Sequence, residues 1–338
     1  MRDASRKPQN PAGFRAIWLG LLLFTGSAVA QTCLSSADID APTLSSLDAT
    51  AKRYFQVSAS GDAAALKQNS IPSLASGFAG IENAVKDNQP NFSRAQASVR
   101  PPFILTADGP EPLARAEFLC GVFGKSGQTS GSAVFVLPNL PPGKYAVTIL
   151  DVSGGKTPTT LTMILQQIGA DWKLAGYFAR ATQAAGHDGA WFAQRARDFR
   201  AKSQTRNAWL YYREAIALSA PVDFMSTLAT DKLYDEAQAV LPGDLPINEA
   251  LDLSAGGKSN RWTGIYLLAV EADVDVVVLY ESPDISNTQK TYEQNGLVIK
   301  AVVAKFPEFR DAFAGVVARA VEPSGRDYGT LLPMKDIK

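Results

Sequence analysis

The chain predicts an α+β protein of more than one module, and three observations carry that prediction. Apolar residues recur at spacings of three and four from Pro42 to about Asn88, the mark of helices packed through one stripe. From Ala95 to Ala179 the period falls to two, with Pro142-Gly143, Ser153-Gly154-Gly155 and Gly169-Ala170-Asp171 as reversals between strands. Beyond Gly189 a helical hairpin and a second strand-rich stretch follow, and the whole is longer than one hydrophobic core usually serves.

The first thirty residues read as an address rather than as structure. Arg2, Arg6, Lys7 and Arg15 precede the apolar run Ala16 to Phe24, and Ala28-Val29-Ala30 supplies small residues at the −3 and −1 positions. That pattern predicts a secretory signal peptide over residues 1–30, cleaved after Ala30, and a mature protein in the periplasm or secreted beyond it. The run is far shorter than the ~20 residues a membrane span needs, and no later run qualifies, so no transmembrane span is expected. The residues before Cys33 lack a lipoprotein pattern, and there is no twin-arginine pair. The leader carries four basic residues and one acidic one, so a chain of 33 Lys+Arg and 33 Asp+Glu becomes slightly acidic without it. Nucleic acid is excluded as a partner on that balance and address.

Cys33 and Cys120 are the chain's two cysteines, and an oxidising destination predicts one disulfide between them. The chain-entropy relation gives such a bridge about 4 to 5 kcal/mol. A redox or metal pair lacks both a C-x-x-C spacing and a second histidine.

The first helix is expected from Pro42, with Leu44, Leu47, Ala51, Tyr54 and Phe55 on one face and Gly61 as its end. Asp62 then caps Ala63 to Leu66, and a third helix runs from about Ser73 to Lys86. Strands at 95–106, 112–124, 131–138, 144–152, 158–168 and 172–179 read as one meander. The succession of helix, the link Ser60-Gly61-Asp62-Ala63-Ala64-Ala65-Leu66, two more helices and a meander ending in Asp171-Trp172-Lys173-Leu174-Ala175-Gly176-Tyr177 resembles the nuclear transport factor 2-like superfamily. The resemblance covers residues 33–180 as a domain. It implies an α+β cone whose bent sheet wraps the first helix and leaves a cavity.

Residues 181–188 read as a linker, and Asp188 can cap a helix from Gly189 to about Ser203. A second helix, Asn207 to Ser219, completes a hairpin that resembles one tetratricopeptide repeat, through Phe192, Ala196, Phe199, Ala208, Tyr212 and Ala215. Arg195 stands in a normally apolar slot, and Pro221 comes one residue late. A lone repeat cannot bury both faces, so the helical segment 189–240, with a third helix from about Ser226 to Val240, is expected to pack on a neighbour. Residues 258–338 form a C-terminal α+β module with strands at Trp262 to Val270, Val274 to Tyr280, Val316 to Val321 and Tyr328 to Leu332. Leu241 to Pro246 and Ser254 to Lys258 read as loops. Ser286 and Gln289 read as a capping box opening a helix to Lys305, while Asn295-Gly296 before β-branched residues leaves a hairpin as the alternative.

Two sets of residues are candidates for chemistry. Inside the implied cone, Tyr54, Tyr177, Asp151 and Asp171 could serve proton transfer on a small ligand, which supports an isomerase, cyclase or hydrolase reading. The bland alternative makes the aspartates turn residues and the tyrosines packing residues. On the helical hairpin, Arg195, Arg200 and Arg206 interleave with Trp191 and Trp209 and could hold an acidic protein or an anionic envelope partner. The alternative there is a solvated basic face whose aromatics dock on a neighbouring domain. His187 is the chain's one histidine and sits in the linker; Glu271 to Asp275 reads as a charged hairpin turn rather than a calcium loop. No G-x-S-x-G elbow, metal-ligand cluster or phosphate loop occurs, so no cofactor or metal is expected. The reading with most support is a non-enzymatic, exported binding or protein-interaction module.

Overall fold

The computed structural model describes residues 31–125 and 127–338. The leader expected over residues 1–30 lies outside them. The protein is a mixed α+β fold, and no helix among the described residues is long and apolar enough to cross a membrane.

Strand β1 (Gln31–Leu34) leads into α1 (Ala41–Ser60), α2 (Ala63–Gln68), α3 (Pro72–Ser76) and α4 (Ala79–Phe92). The Asp40 carboxylate accepts from the Thr43 N–H at 2.9 Å and opens α1, and Gly61 closes it at a φ of 78° that side chains rarely adopt. The helix expected from Ser73 to Lys86 forms instead as two, broken at Gly77-Phe78.

The expected meander is corrected in two places. Pro101-Pro102 offers no N–H to a ladder, so one strand becomes β2 (Gln96–Val99) and β3 (Phe103–Ala107). Both pair antiparallel with β8 (Gly143–Ser153), which continues into β9 (Thr159–Ile168) and β10 (Asp171–Ala181). The intervening strands β4 (Leu113–Cys120) and β7 (Ala133–Leu140) leave that sheet, with β5 (Phe123–Gly124) and β6 (Gly127–Gln128) as a short arm between them. They build a second sheet with β13 (Met225–Thr227). The cause is burial on both faces: β8 is buried without interruption from Tyr145 to Leu150, and β9 from Thr159 to Leu165. The helices cover one face through Leu47, Tyr54, Leu161 and Met163. The second sheet covers the other through Phe118, Phe135, Val147 and Ile149.

The predicted disulfide is present and joins those two sheets. Cys33 stands opposite Leu105 in the first, Cys120 ends β4 in the second, and their Cα atoms are 5.2 Å apart.

Residues 183–188 form a small hairpin, β11 (Gln183–Ala184) with β12 (His187–Asp188), where a linker was expected. Asp188 caps α5 (Gly189–Ala201) by accepting from the Trp191 N–H at 2.9 Å, and α6 (Thr205–Ser219) and α7 (Leu228–Gln238) follow. A five-stranded sheet then runs in spatial order through β14 (Leu251–Ala255), β15 (Lys258–Val270), β16 (Asp273–Glu281), β17 (Gly315–Val321) and β18 (Asp327–Pro333). Only β16 and β17 are parallel, and α8 (Thr288–Lys305) makes the crossover that parallel strands require. Gly256 and Gly257, at φ of 60° and 75°, form a two-residue hairpin turn where a longer loop was expected.

Of the two readings of Asn295-Gly296, the helix is the one formed. Asn295 is fully buried in α8, accepting from the Tyr280 hydroxyl at 2.7 Å and donating to Thr330 Oγ1 at 2.9 Å and the Tyr328 carbonyl at 3.1 Å. Its cap is Asn287, which accepts from the Lys290 N–H; Ser286 instead donates its hydroxyl to Asp284.

Helices α5 and α6 share one hydrophobic core with this C-terminal sheet. A file of rings runs from Tyr211 to Phe313 (5.9 Å), Phe309 (5.3 Å), Phe306 (5.3 Å) and Trp262 (5.9 Å).

Two measurements check the bridge. The unreduced protein should contain no free thiol, and Cys120→Ser should lower stability to denaturant by about 4 kcal/mol, whereas an unchanged midpoint would remove the bridge from the forces that hold the two sheets together.

Candidate functional site

The four residues expected in a cone pocket divide between one packed core, which holds the two tyrosines, and more exposed positions, which hold the two aspartates. Tyr54 is buried, with its hydroxyl donating to the Trp172 carbonyl at 3.0 Å and lying 3.2 Å from that of Asn69. Burial raises its pKa, the neighbouring Arg53 opposes that, and Asp171 adds to it. Tyr177 is buried in the same core, its hydroxyl without a hydrogen-bond partner and pushed up to about 12 by burial. Ser58, its polar neighbour, donates to the Tyr54 carbonyl instead. Asp151 is gripped by Arg100 through contacts of 2.6 and 2.9 Å at a half-exposed position on β8. Asp171 is exposed at the start of β10, on a cleft of about 350 Å³ with Arg53 and Lys173. Neither aspartate belongs to the packed core that holds the tyrosines.

The basic face of the hairpin is largely spent within the fold. Arg206 Nε donates to Asp244 at 2.9 Å and its Nη1 to Glu308 at 2.7 Å, tying α6 to the loop after α7 and to the 3₁₀ turn Pro307–Asp311. Arg197 makes a two-pronged pair with Glu236 of α7, at 2.7 and 2.8 Å, and Tyr212 donates to the same carboxylate. Arg195 lies over Phe199 (5.2 Å) and Trp191 (5.9 Å) with Asp198 at 3.7 Å. Arg200 is exposed on α5. Trp191 stacks on His187 at 3.8 Å and packs on Tyr211, and Trp209 is 6% exposed. Arg206 is therefore tied into the fold, and Trp209 is largely packed into the core. The carboxylates that hold Arg206 lie 38 and 102 residues away along the chain, and Trp209 packs in the shared core, where charge counting and helical period do not reach.

What the sequence reading missed is a groove of about 530 Å³ between α6 and β15. One wall carries Trp209, Arg213 and Glu214; the other is residues Thr263 to Leu267, with Pro246 to Asn248 at one side. Arg213 lies 5.7 Å over the Trp209 ring, whose buried Nε1–H has no acceptor. Glu214 has no cation or donor within contact among the described residues, and burial raises its pKa above the ordinary 4.5. A signal existed in the sequence: Glu214 interrupts an apolar face that runs from Leu210 to Ala217.

Among the described residues no group of three or more His, Cys, Asp or Glu is gathered to hold a metal ion. The fold and groove thus define a mixed α+β protein with a cleft lined by aromatic, charged and apolar side chains. Comparison of the chain with protein-family models, with curated proteins and with solved structures found no match in any of the three.

Two substitutions separate structural from available charges. Arg206→Ala should cost about 2 kcal/mol in denaturant unfolding, since it leaves two partly buried carboxylates without their donor. Folding favours the protonated form of Glu214, so its contribution is full below pH 4.5 and is lost as pH rises through its raised value. Glu214→Gln should therefore be the more stable protein at pH 7.5, by ~1 kcal/mol, with the gap closing toward pH 4 in thermal unfolding.

Proposed function

We propose that the chain is an exported envelope protein, periplasmic or secreted, that works by binding a partner rather than by catalysis, with the groove between α6 and β15 as its binding site. One contrast carries the reading. The space beneath the first sheet is packed with Leu47, Tyr54, Met163, Trp172 and Tyr177, and the orphaned Tyr177 hydroxyl is sealed inside that packing, whereas the groove is open and sets Trp209 and Arg213 beside Glu214, a carboxylate that pairs with no cation among the described residues. Buried polar groups are normally satisfied, and exceptions concentrate where a ligand completes them. The disulfide and the lack of a membrane-crossing helix among the described residues fit export. The likeness of the N-terminal half to the nuclear transport factor 2-like superfamily, and of α5–α6 to a tetratricopeptide hairpin, belongs to the same proposal; helices lying on one face of a bulged sheet support the first.

Site-specific photo-crosslinking in envelope extract tests it. A crosslinker replacing Ala217 in the groove should give adducts that Arg213→Ala with Tyr266→Ala reduces at least fivefold, and one replacing Ala190 on the exposed side of α5 should give none. Adducts from Ala190 alone, or turnover of a small molecule abolished by Tyr177→Phe, would overturn the reading.

A further inference from the structure

The edge of β15 is the part of the fold most in want of a neighbour. β14 pairs with it only from Lys258 to Trp262, while β16 pairs along its other side as far as Val270. A register shift between Trp262 and Gly264 marks the point where β14 stops. From Ile265 to Val270 one backbone edge consequently has no strand beside it, and no backbone hydrogen bond from a turn or loop among the described residues reaches it. The stretch reads Ile-Tyr-Leu-Leu-Ala-Val, with Tyr266, Leu268 and Val270 between 38% and 40% exposed. Natural edges are usually protected by lysine, proline or a cover; from Ile265 to Val270 this one carries neither lysine nor proline, and α6 faces it only across the groove.

The groove meets the first half of that edge, at Ile265 to Leu267. Five consecutive strand residues, Thr263 to Leu267, line it, so it follows the side of the strand rather than one face. Across from them stands Glu214, a half-buried carboxylate that meets no cation among the described residues.

We propose that the free edge of β15 accepts an extended polypeptide segment as an added strand, apolar at alternate positions and placing a lysine or arginine on Glu214. This rests on the groove being the binding site. An extended segment supplies what a small ligand cannot, a ladder of backbone N–H and C=O groups for six residues of open edge, and its basic side chain compensates the carboxylate. A second copy of this chain fits less well. Its own β15 is apolar and closes on Glu271 and Asp273, so it brings carboxylates where the groove requires a cation.

The test uses the oxidised, folded chain and a capped peptide of alternating valine and lysine, seven residues long. Fluorescence anisotropy should give saturable binding, at least tenfold weaker for the valine–glutamate peptide, for a version N-methylated at alternate amides, and for the Glu214→Gln protein. Hydrogen exchange with the peptide bound should slow at residues 265–270. Lack of saturable binding, equal affinity for the lysine and glutamate peptides, or binding without protection of 265–270 would overturn the proposal. Protection that needs no peptide and grows with protein concentration would overturn it too, in favour of a second copy. Groove adducts from Ala217 that persist while the peptides fail to bind would sink strand addition alone and leave the groove as the binding site.

Discussion

The file of aromatic rings from Tyr211 through Phe313, Phe309 and Phe306 to Trp262 is the contact on which the C-terminal half depends. A single helical hairpin has two apolar faces and nothing of its own to cover the second. Here α5 and α6 close on each other through Phe192, Ala196 and Ala208 and then lay Tyr211 against rings that descend from α8 and its 3₁₀ turn. The polar complement follows the same seam. Arg206 reaches Glu308, Asn207 donates to the Glu308 carbonyl at 2.7 Å, and the Tyr211 hydroxyl donates to the Ala312 carbonyl at 2.7 Å. Because the helices are fastened at that turn, α6 is held beside β15 at a fixed distance, and the groove between them is a property of the scaffold rather than of a loop.

The same packing explains what could be read from the residues and what could not. Local signals were legible: Pro42 and Gly61 mark the ends of α1, Asp188 opens α5, and two lone cysteines form the bridge. Alternation showed which strand positions are buried without showing against which layer, so β4 and β7 looked continuous with a sheet that they instead cover. Unbroken burial along β8 and β9 has its sequence counterpart in runs such as Tyr145 to Leu150, where an apolar strand with few polar interruptions signals two covered faces.

Charge was the least legible property. The arginines of the hairpin are plain in the sequence, but Glu236, Asp244 and Glu308, which engage them, come from a later helix, a loop and a distant turn. The acid that stays unpaired, Glu214, is flanked by Arg213 in the chain, yet that guanidinium is turned over the Trp209 ring. Adjacent helix positions diverge by about 100° around the axis, so neighbours in sequence do not face each other. Compensation for Glu214 has to come from another element or from outside the fold, and no other described element supplies it.

The placement of β1 sets an order of events during synthesis. Its ladder partner lies at residues 103–107, the Gln31 side chain accepts from the Glu117 N–H, and its sulfur waits for Cys120. The first described segment to be synthesised thus has no ladder partner until some seventy further residues have followed it, and no partner for its sulfur until Cys120, and closing so long a loop is slow relative to forming the helices in between. Strand β1 is made early and seated late, so during that interval the chain carries an unpaired strand and an unbridged thiol.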